Sequence, residues 1–367
     1  MKLFEPITIK HMEMKNRLIM PAMQLGLGLR SRRAQNYYLE RAKGGVGAII
    51  MAATSVDLLT DDQAWGRPDG VIQFIGNARS FTEAVRNNDA RIGIQLWHGN
   101  QLPAGSGAGV LPGAEMVAPS AKNNMREMTV EEIKSIIEKF GAASGKAREA
   151  GFDFIELHGA HGYLLCQFFS GADNNRTDHY GGDVSGRMNF GLETVKAARE
   201  AVGDDFPVFF RIGAEEGIPE GVTLDQSKLF AVELEKAGVD VLDVSLGRNE
   251  GQSASPDKNA EMGTFAYLAG AIKQEVNIPV ITVGRINTRE VAESILTHGQ
   301  ADLIAVERQL ITDPHWPNKI RENQMGEVVA CESCNTCFGP LLSSKWRPGD
   351  RICKVNERAG KEIDDDI

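Results

Sequence analysis

The sequence predicts an α/β protein folded as a (β/α)8 (TIM) barrel, with an excursion after the third strand and a cysteine-rich segment at the C-terminal end. Three observations carry this reading. Eight short runs rich in Val, Ile, Leu and Phe recur along the 367 residues, of the continuous apolar kind shown by strands buried on both faces. Amphipathic helical patterns lie between most of them. No dinucleotide fingerprint marks the chain, which counts against the competing architecture, a doubly wound open sheet.

In chain order the predicted strands are Leu18 to Met23, Ala48 to Thr54, Arg91 to His98, Phe152 to His158, Pro207 to Gly213, Val239 to Leu246, Pro279 to Gly284 and Asp302 to Glu307. The clearest helix runs from Thr129 to Ala150, with Ile133, Ile136, Ile137, Phe140 and Ala147 on one stripe. Thr129 and Glu132 stand at capping-box spacing at its start, as do Thr223 and Gln226 before a helix carrying Leu229, Val232 and Leu234. The glycine series Gly105 to Gly109 neither follows a strand directly nor opens a helix, so the stretch from Asn100 to Met128 reads as the excursion, a small hairpin or lid. The helical repeat ends near Asn323, which divides the chain into a barrel over 1–325 and a cysteine segment over 326–367.

Composition narrows the partners. Forty basic against fifty acidic residues give a net charge of −10, which argues against nucleic acid or an anionic membrane as a partner. The N-terminus has no apolar signal region, and no run approaches the roughly 20 apolar residues of a membrane helix. A cytoplasmic location is the expectation, and a homo-oligomer is left open. Cys331, Cys334, Cys337 and Cys353 crowd the C-terminal end while Cys166 stands apart; in a large chain without a secretion signal this favours metal or cluster binding over disulfides.

Strand periodicity places polar groups where they are costly. Gly93, Gln95 and Trp97 share one face of the third strand, Phe154, Glu156 and His158 one face of the fourth, and Phe209 and Arg211 one face of the fifth. With the aliphatic neighbours facing the helices, these groups face the barrel axis. Unpartnered, each costs several kcal/mol. Glu156 and Arg211, on adjacent strands, can pair with each other. Gln95, His158 and Arg211, near the C-terminal ends of their strands, call for a bound polar ligand.

The fourth strand leads into Glu156-Leu157-His158-Gly159-Ala160-His161-Gly162-Tyr163-Leu164-Leu165, then Gln167 to Ser170 and Asn175 to Gly182. A hydrogen-bonded core histidine and a His-x-x-His zinc site are the alternatives at His158 and His161, and no suitable third zinc ligand lies nearby. The whole string resembles the active-site loop of the Old Yellow Enzyme family of FMN-dependent reductases. That resemblance implies that Gln95 and Arg211 hold the polar edge of FMN, with the cation stabilising the reduced flavin. It implies that the backbone of Pro21, Ala22 and Met23, and that of Ala53 or Thr54, lies along the ring. Gly284-Arg285 and Glu307-Arg308 would bind the phosphate through backbone N–H groups and arginine, with the Glu307 carboxylate turned away. His158 and His161 would hold the carbonyl oxygen of an α,β-unsaturated substrate, and Tyr163, a neutral phenol of pKa about 10, would supply the proton. Arg176, Asp178 and Tyr180 read as residues that order the loop.

The spacing Cys331-x2-Cys334-x2-Cys337-x15-Cys353 suits a [4Fe–4S] cluster, three thiolates wrapping three corners and a distant fourth closing it. Zinc and free thiols are the alternatives. With Lys354 to Gly360 downstream, the segment resembles the subgroup of 2,4-dienoyl-CoA reductase, 2-enoate reductase and trimethylamine dehydrogenase. Members of that subgroup continue into FAD- and nucleotide-binding domains, for which a chain ending at Ile367 has no room. The resemblance therefore implies an ene reductase fed with electrons through the cluster by a separate ferredoxin or flavoprotein subunit, or directly by NAD(P)H. An amine dehydrogenase is the second reading, although Met23 and its neighbours offer no thiol for flavin attachment. An electron-transfer flavoprotein subunit is the third, and it would have no use for Tyr163.

Overall fold

The computed structural model describes residues 1–27, 31–99, 115–122, 124–248, 255–338 and 350–362. An antiparallel hairpin, β1 (Ile7–Ile9) and β2 (Met12–Met14), precedes the first barrel strand, β3 (Leu18–Met20). β4 (Ala48–Ser55) and β5 (Arg91–Trp97) follow. After them come the short β6 (Val117–Ala118) and β7 (Arg126–Glu127), then β8 (Phe154–Gly159), β9 (Val208–Gly213), β10 (Val241–Ser245), β11 (Val280–Thr282) and β12 (Leu303–Ala305). Eight of them close a parallel barrel in the order β3-β4-β5-β8-β9-β10-β11-β12. The seam pairs Ile304 with Leu18 and Ala305 with Ile19, which excludes the open doubly wound sheet.

All eight predicted runs contain a barrel strand, but most overshoot its carboxyl end. The first was expected to reach Met23 and stops at Met20, because Pro21 has no N–H to continue the ladder. The last was expected to reach Glu307 and stops at Ala305. The surplus apolar residues leave the ladder to form the rim. Between Met51 and Thr54 the β4–β5 register shifts, and the Ala52 N–H freed there donates to the Tyr38 hydroxyl at 3.0 Å. Bulges at a barrel rim re-aim backbone toward a site.

Alternation sorts the core into two layers. Inside the barrel pack Ile19, Ile50, Phe154, Phe209, Val241, Ile281 and Leu303, and Ile9, Met12 and Met14 of the hairpin close its floor. The intervening Ile94, Leu96, Ile155, Leu157, Phe210 and Ile212 pack outward against the helices. Both expected capping boxes form, at the helices Val130–Glu149 and Leu224–Ala237. Leu229 is 56% exposed, because Ser227, Phe230, Ala231 and Leu234 hold the inward stripe and Leu229 lies on the opposite side of the helix.

The expected hairpin after the third strand is instead a parallel pairing of β6 with β7, and the glycine series lies outside the described residues. Arg176 ties this excursion down, Nη1 donating to the carbonyls of Pro119 at 2.8 Å and Met128 at 2.7 Å. The C-terminal segment lies across the carboxyl end of the barrel. Gln309 donates to Val329 O at 2.8 Å and accepts from Cys331 N at 2.8 Å, and the buried Arg41 meets Glu362 Oε1 at 2.5 Å. Among the described residues no helix is long and apolar enough to cross a membrane.

Interior packing sets a test. A Cβ at Gly93 would lie 2.3 Å from the Phe154 ring, which is itself stacked on Phe209 at 4.3 Å between centroids. Gly93→Ala is expected to destabilise the fold by about 1–3 kcal/mol. Gly76→Ala, at an exposed helical site with nothing within 4 Å of the new carbon, is expected to stabilise it by roughly 0.5–1 kcal/mol. Denaturant titration of both variants reads the contrast.

Candidate active site

The strand ends open into a cavity of about 330 Å³, within the size range of small-molecule sites. The residues predicted from sequence converge on it. Pro21, Ala22 and Met23 follow β3, Ala53 belongs to β4, Gln95 to β5, His158 to β8 and Arg211 to β9, with His161 and Tyr163 on the loop after β8. Gly284 and Arg285 after β11 and Glu307 and Arg308 after β12 complete the wall. His158, Arg285, Asn287 and Glu307 carry buried polar atoms with no hydrogen-bond partner among the described residues. Such atoms ask for a polar occupant.

The loop after β8 is shaped by backbone that ordinary residues avoid. His161 has φ 60° and Gly162 φ 77°, a left-handed turn that stores strain of the kind found at functional sites. It brings the His158 and His161 rings to 5.2 Å and those of His158 and Tyr163 to 5.0 Å. Trp97 meets Tyr163 edge-on at 4.8 Å. His161 Nε2 lies 3.0 Å from Ser245 Oγ. Burial, with the Arg211 charge adding to it, drops the His161 pKa to about 3 and holds His158 well below the usual imidazole range. Both rings are therefore neutral at pH 7. Burial raises the Tyr163 phenol above its ordinary value, which keeps it protonated.

Beneath the cavity the expected Glu156–Arg211 pair is replaced by a different partnership. Gln95 Nε2 donates to Glu156 Oε1 at 2.7 Å, and Arg211 Nε faces Asp243 Oδ2 at 3.2 Å without the alignment of a hydrogen bond. The β9–β10 register puts Asp243 opposite Arg211, so the nearest carboxylate is the one beside it on the next strand. Asp243 and Ser245 escaped the sequence reading. Their signal was present: a carboxylate and a hydroxyl at the inward parity of an otherwise apolar run.

At the opposite wall Gly284 has φ 113° and Arg285 φ 51°, so the chain turns sharply as it leaves β11. Glu307 was expected to turn away from the phosphate. Both its carboxylate oxygens are buried without a hydrogen-bond partner among the described residues, and burial lifts its pKa to about 8 against the pull of Arg41, Arg211 and Arg308. Mostly protonated at pH 7, it puts little negative charge there. Arg308 also lines a second, small pocket, where Cys331, Cys334, Cys337 and Cys353 all appear, and Cys331 lines both cavities. Among the described residues no three His, Cys, Asp or Glu side chains converge tightly enough to hold a single metal ion.

Comparison with known proteins agrees with this picture. The sequence pattern of the NADH:flavin oxidoreductase / NADH oxidase family matches residues 2–327. An NADH oxidase of Thermoanaerobacter brockii is 41% identical over 98% of this chain and 56% of its own length. A cinnamate reductase of Clostridium sporogenes is 32% identical over 98% of this chain and 58% of its own. The structure of a 2-naphthoyl-CoA reductase bound to 2-naphthoyl-CoA superposes with a TM-score of 0.86 at 26% identity, covering 99% of this chain and 58% of that one. The chain thus spans a little over half the length of these relatives. With the barrel closed as its motifs require and the family pattern covering all of it, the chain belongs to the NADH:flavin oxidoreductase / NADH oxidase family.

Proposed function

We propose that the cavity binds FMN and reduces the C=C bond of α,β-unsaturated carbonyl compounds (enones, enoates or enoyl thioesters), with electrons reaching it through a [4Fe–4S] cluster on the four cysteines. One observation carries the reading: Gln95, His158, His161, Tyr163 and Arg211 from neighbouring strand ends share one cavity with the two glycine- and arginine-bearing turns, and Cys331 opens from it onto the cysteine pocket.

The residues fit an FMN. Gln95 and Arg211 would hold its polar edge, the backbone from Pro21 to Met23 and at Ala53 would lie along the ring, and the Gly284-Arg285 and Glu307-Arg308 turns would hold its phosphate. Bound there, FMN supplies the hydride. His158 and His161, neutral imidazoles, donate N–H to the substrate's carbonyl oxygen and draw electron density from the alkene. Tyr163 Oη, kept protonated by burial, delivers the proton to the α-carbon. The T-shaped Trp97–Tyr163 pair packs the phenol in place.

All four thiols line one small pocket, and three cysteines in a C-x2-C-x2-C run with a distant fourth suit the corners of a cubane. Arg308, within the field of Cys331, Cys334 and Cys337, is placed to offset thiolate charge. The electron donor would be a ferredoxin, an FAD/NAD flavoprotein subunit or NAD(P)H. The NADH oxidase and cinnamate reductase relatives support a reductive role for the barrel.

Three outcomes test this reading. Tyr163→Phe is expected to slow alkene reduction about 10²–10⁴-fold while the visible spectrum still shows bound FMN. Cys337→Ser, prepared anaerobically, is expected to lose iron and labile sulfide and to keep FMN. The depressed imidazoles set the pH behaviour. A histidine neutral when folded and ordinary when unfolded stabilises the fold fully above about 6.5 and loses that contribution as pH falls toward 3. His161→Gln is therefore expected to flatten the acid limb of thermal stability in that window.

A further inference from the structure

The floor of the cavity holds two carboxyl groups that the reaction does not use. Glu156 on β8 and Asp243 on β10 flank Arg211 on β9, all three on inward faces. Glu156 and Asp243 are fully buried, and Arg211 is 6% exposed. Gln95 donates to one Glu156 oxygen. Glu156 Oε2 and both Asp243 oxygens accept no hydrogen bond from any donor among the described residues, and both carboxyls lie in the field of the same guanidinium and of each other. Two carboxyls that act on one another while sealed from water disfavour ionising together.

We propose that Glu156 and Asp243 hold one proton between them as an acid–carboxylate pair that neutralises Arg211 and fixes Gln95, which makes them positioning residues for the polar edge of the flavin. The inference rests on reading the cavity as a flavin site. Asp243 faces the guanidinium and is the ionised member. Glu156 is the acid, its O–H donating to Asp243 and its carbonyl accepting from Gln95. Burial raises both acids, and at Glu156 the Asp243 charge adds to that while Arg211 opposes it. One Gln95 N–H is thereby committed to the barrel interior, which leaves the amide oxygen and the second N–H for the cavity. The other charged or titratable groups around this tier are His158 and His161, both neutral, and the mostly protonated Glu307. The floor then carries no net charge. With both carboxylates ionised it would carry one negative charge beneath the place where reduced flavin gathers its own.

The test uses FMN-loaded protein, Glu156→Gln and the double variant Glu156→Gln/Asp243→Asn. Infrared difference spectra in H₂O and D₂O are expected to show the carbonyl stretch of a buried carboxylic acid in the unmodified protein and not in Glu156→Gln. Sulfite, which adds to flavin and leaves negative charge on the ring, reads the charge of the floor. Its dissociation constant in Glu156→Gln is expected within about threefold of the unmodified protein, and about tenfold or more tighter in the double variant, where Arg211 loses its counter-charge. The unmodified protein's band needs no variant to fold. Its absence, or a tenfold tightening already in Glu156→Gln, would overturn the proposal. A protein that shows the band but takes up no flavin keeps the pair and overturns the flavin assignment on which its role depends.

Discussion

A guanidinium on the axis of a closed barrel has no water to share its charge, so its neighbours must be built around it. Arg211 sits on the middle one of three adjacent strands, with His158 opposite it on one side and Asp243 on the other. Its charge explains several features that otherwise look unrelated. It needs a carboxylate on the next strand, it adds to the burial that keeps His158 and His161 neutral, and it pulls against the raised acid of Glu307. A cation held this way is costly for the fold and useful to the site, since it is pre-oriented before any anion forms above it.

Neutral imidazoles follow from the same constraint. An imidazolium beside a buried guanidinium would be repelled and poorly solvated, so the two rings remain hydrogen-bond donors that carry no charge of their own. That suits the proposed polarisation of a substrate carbonyl by neutral donors. The left-handed His161–Gly162 turn is the backbone counterpart. It spends conformational strain to place His161 over Ser245 and Tyr163 against Trp97.

Much of this was legible in the chain itself. Strands buried on both faces write continuous apolar runs, and caps write Thr-x-x-Glu and Thr-x-x-Gln, so both survive folding as local signals. Inward parity picked out Gln95, His158 and Arg211, and the same parity marks Asp243 and Ser245, where an apolar context hid them. The strand ends were overshot at Pro21 and Val306 because hydrophobicity does not report where a ladder gives way to a rim. The long-range ties of the C-terminal segment, Arg41 with Glu362 and Gln309 with Val329 and Cys331, leave no local trace. They matter because they seat the cysteines against Arg308 and the cavity.

The account stands on the cavity being a flavin site that passes hydride to an activated alkene. The most direct measurement is a single turnover without oxygen: FMN- and iron-loaded protein is reduced, mixed with an enoate or an enone, and followed in the visible. The account predicts return of the oxidised flavin spectrum with formation of the saturated product in equal amount. A protein that stays colourless after reconstitution, or a reduced flavin that no enoate, enone or enoyl thioester reoxidises, would contradict it.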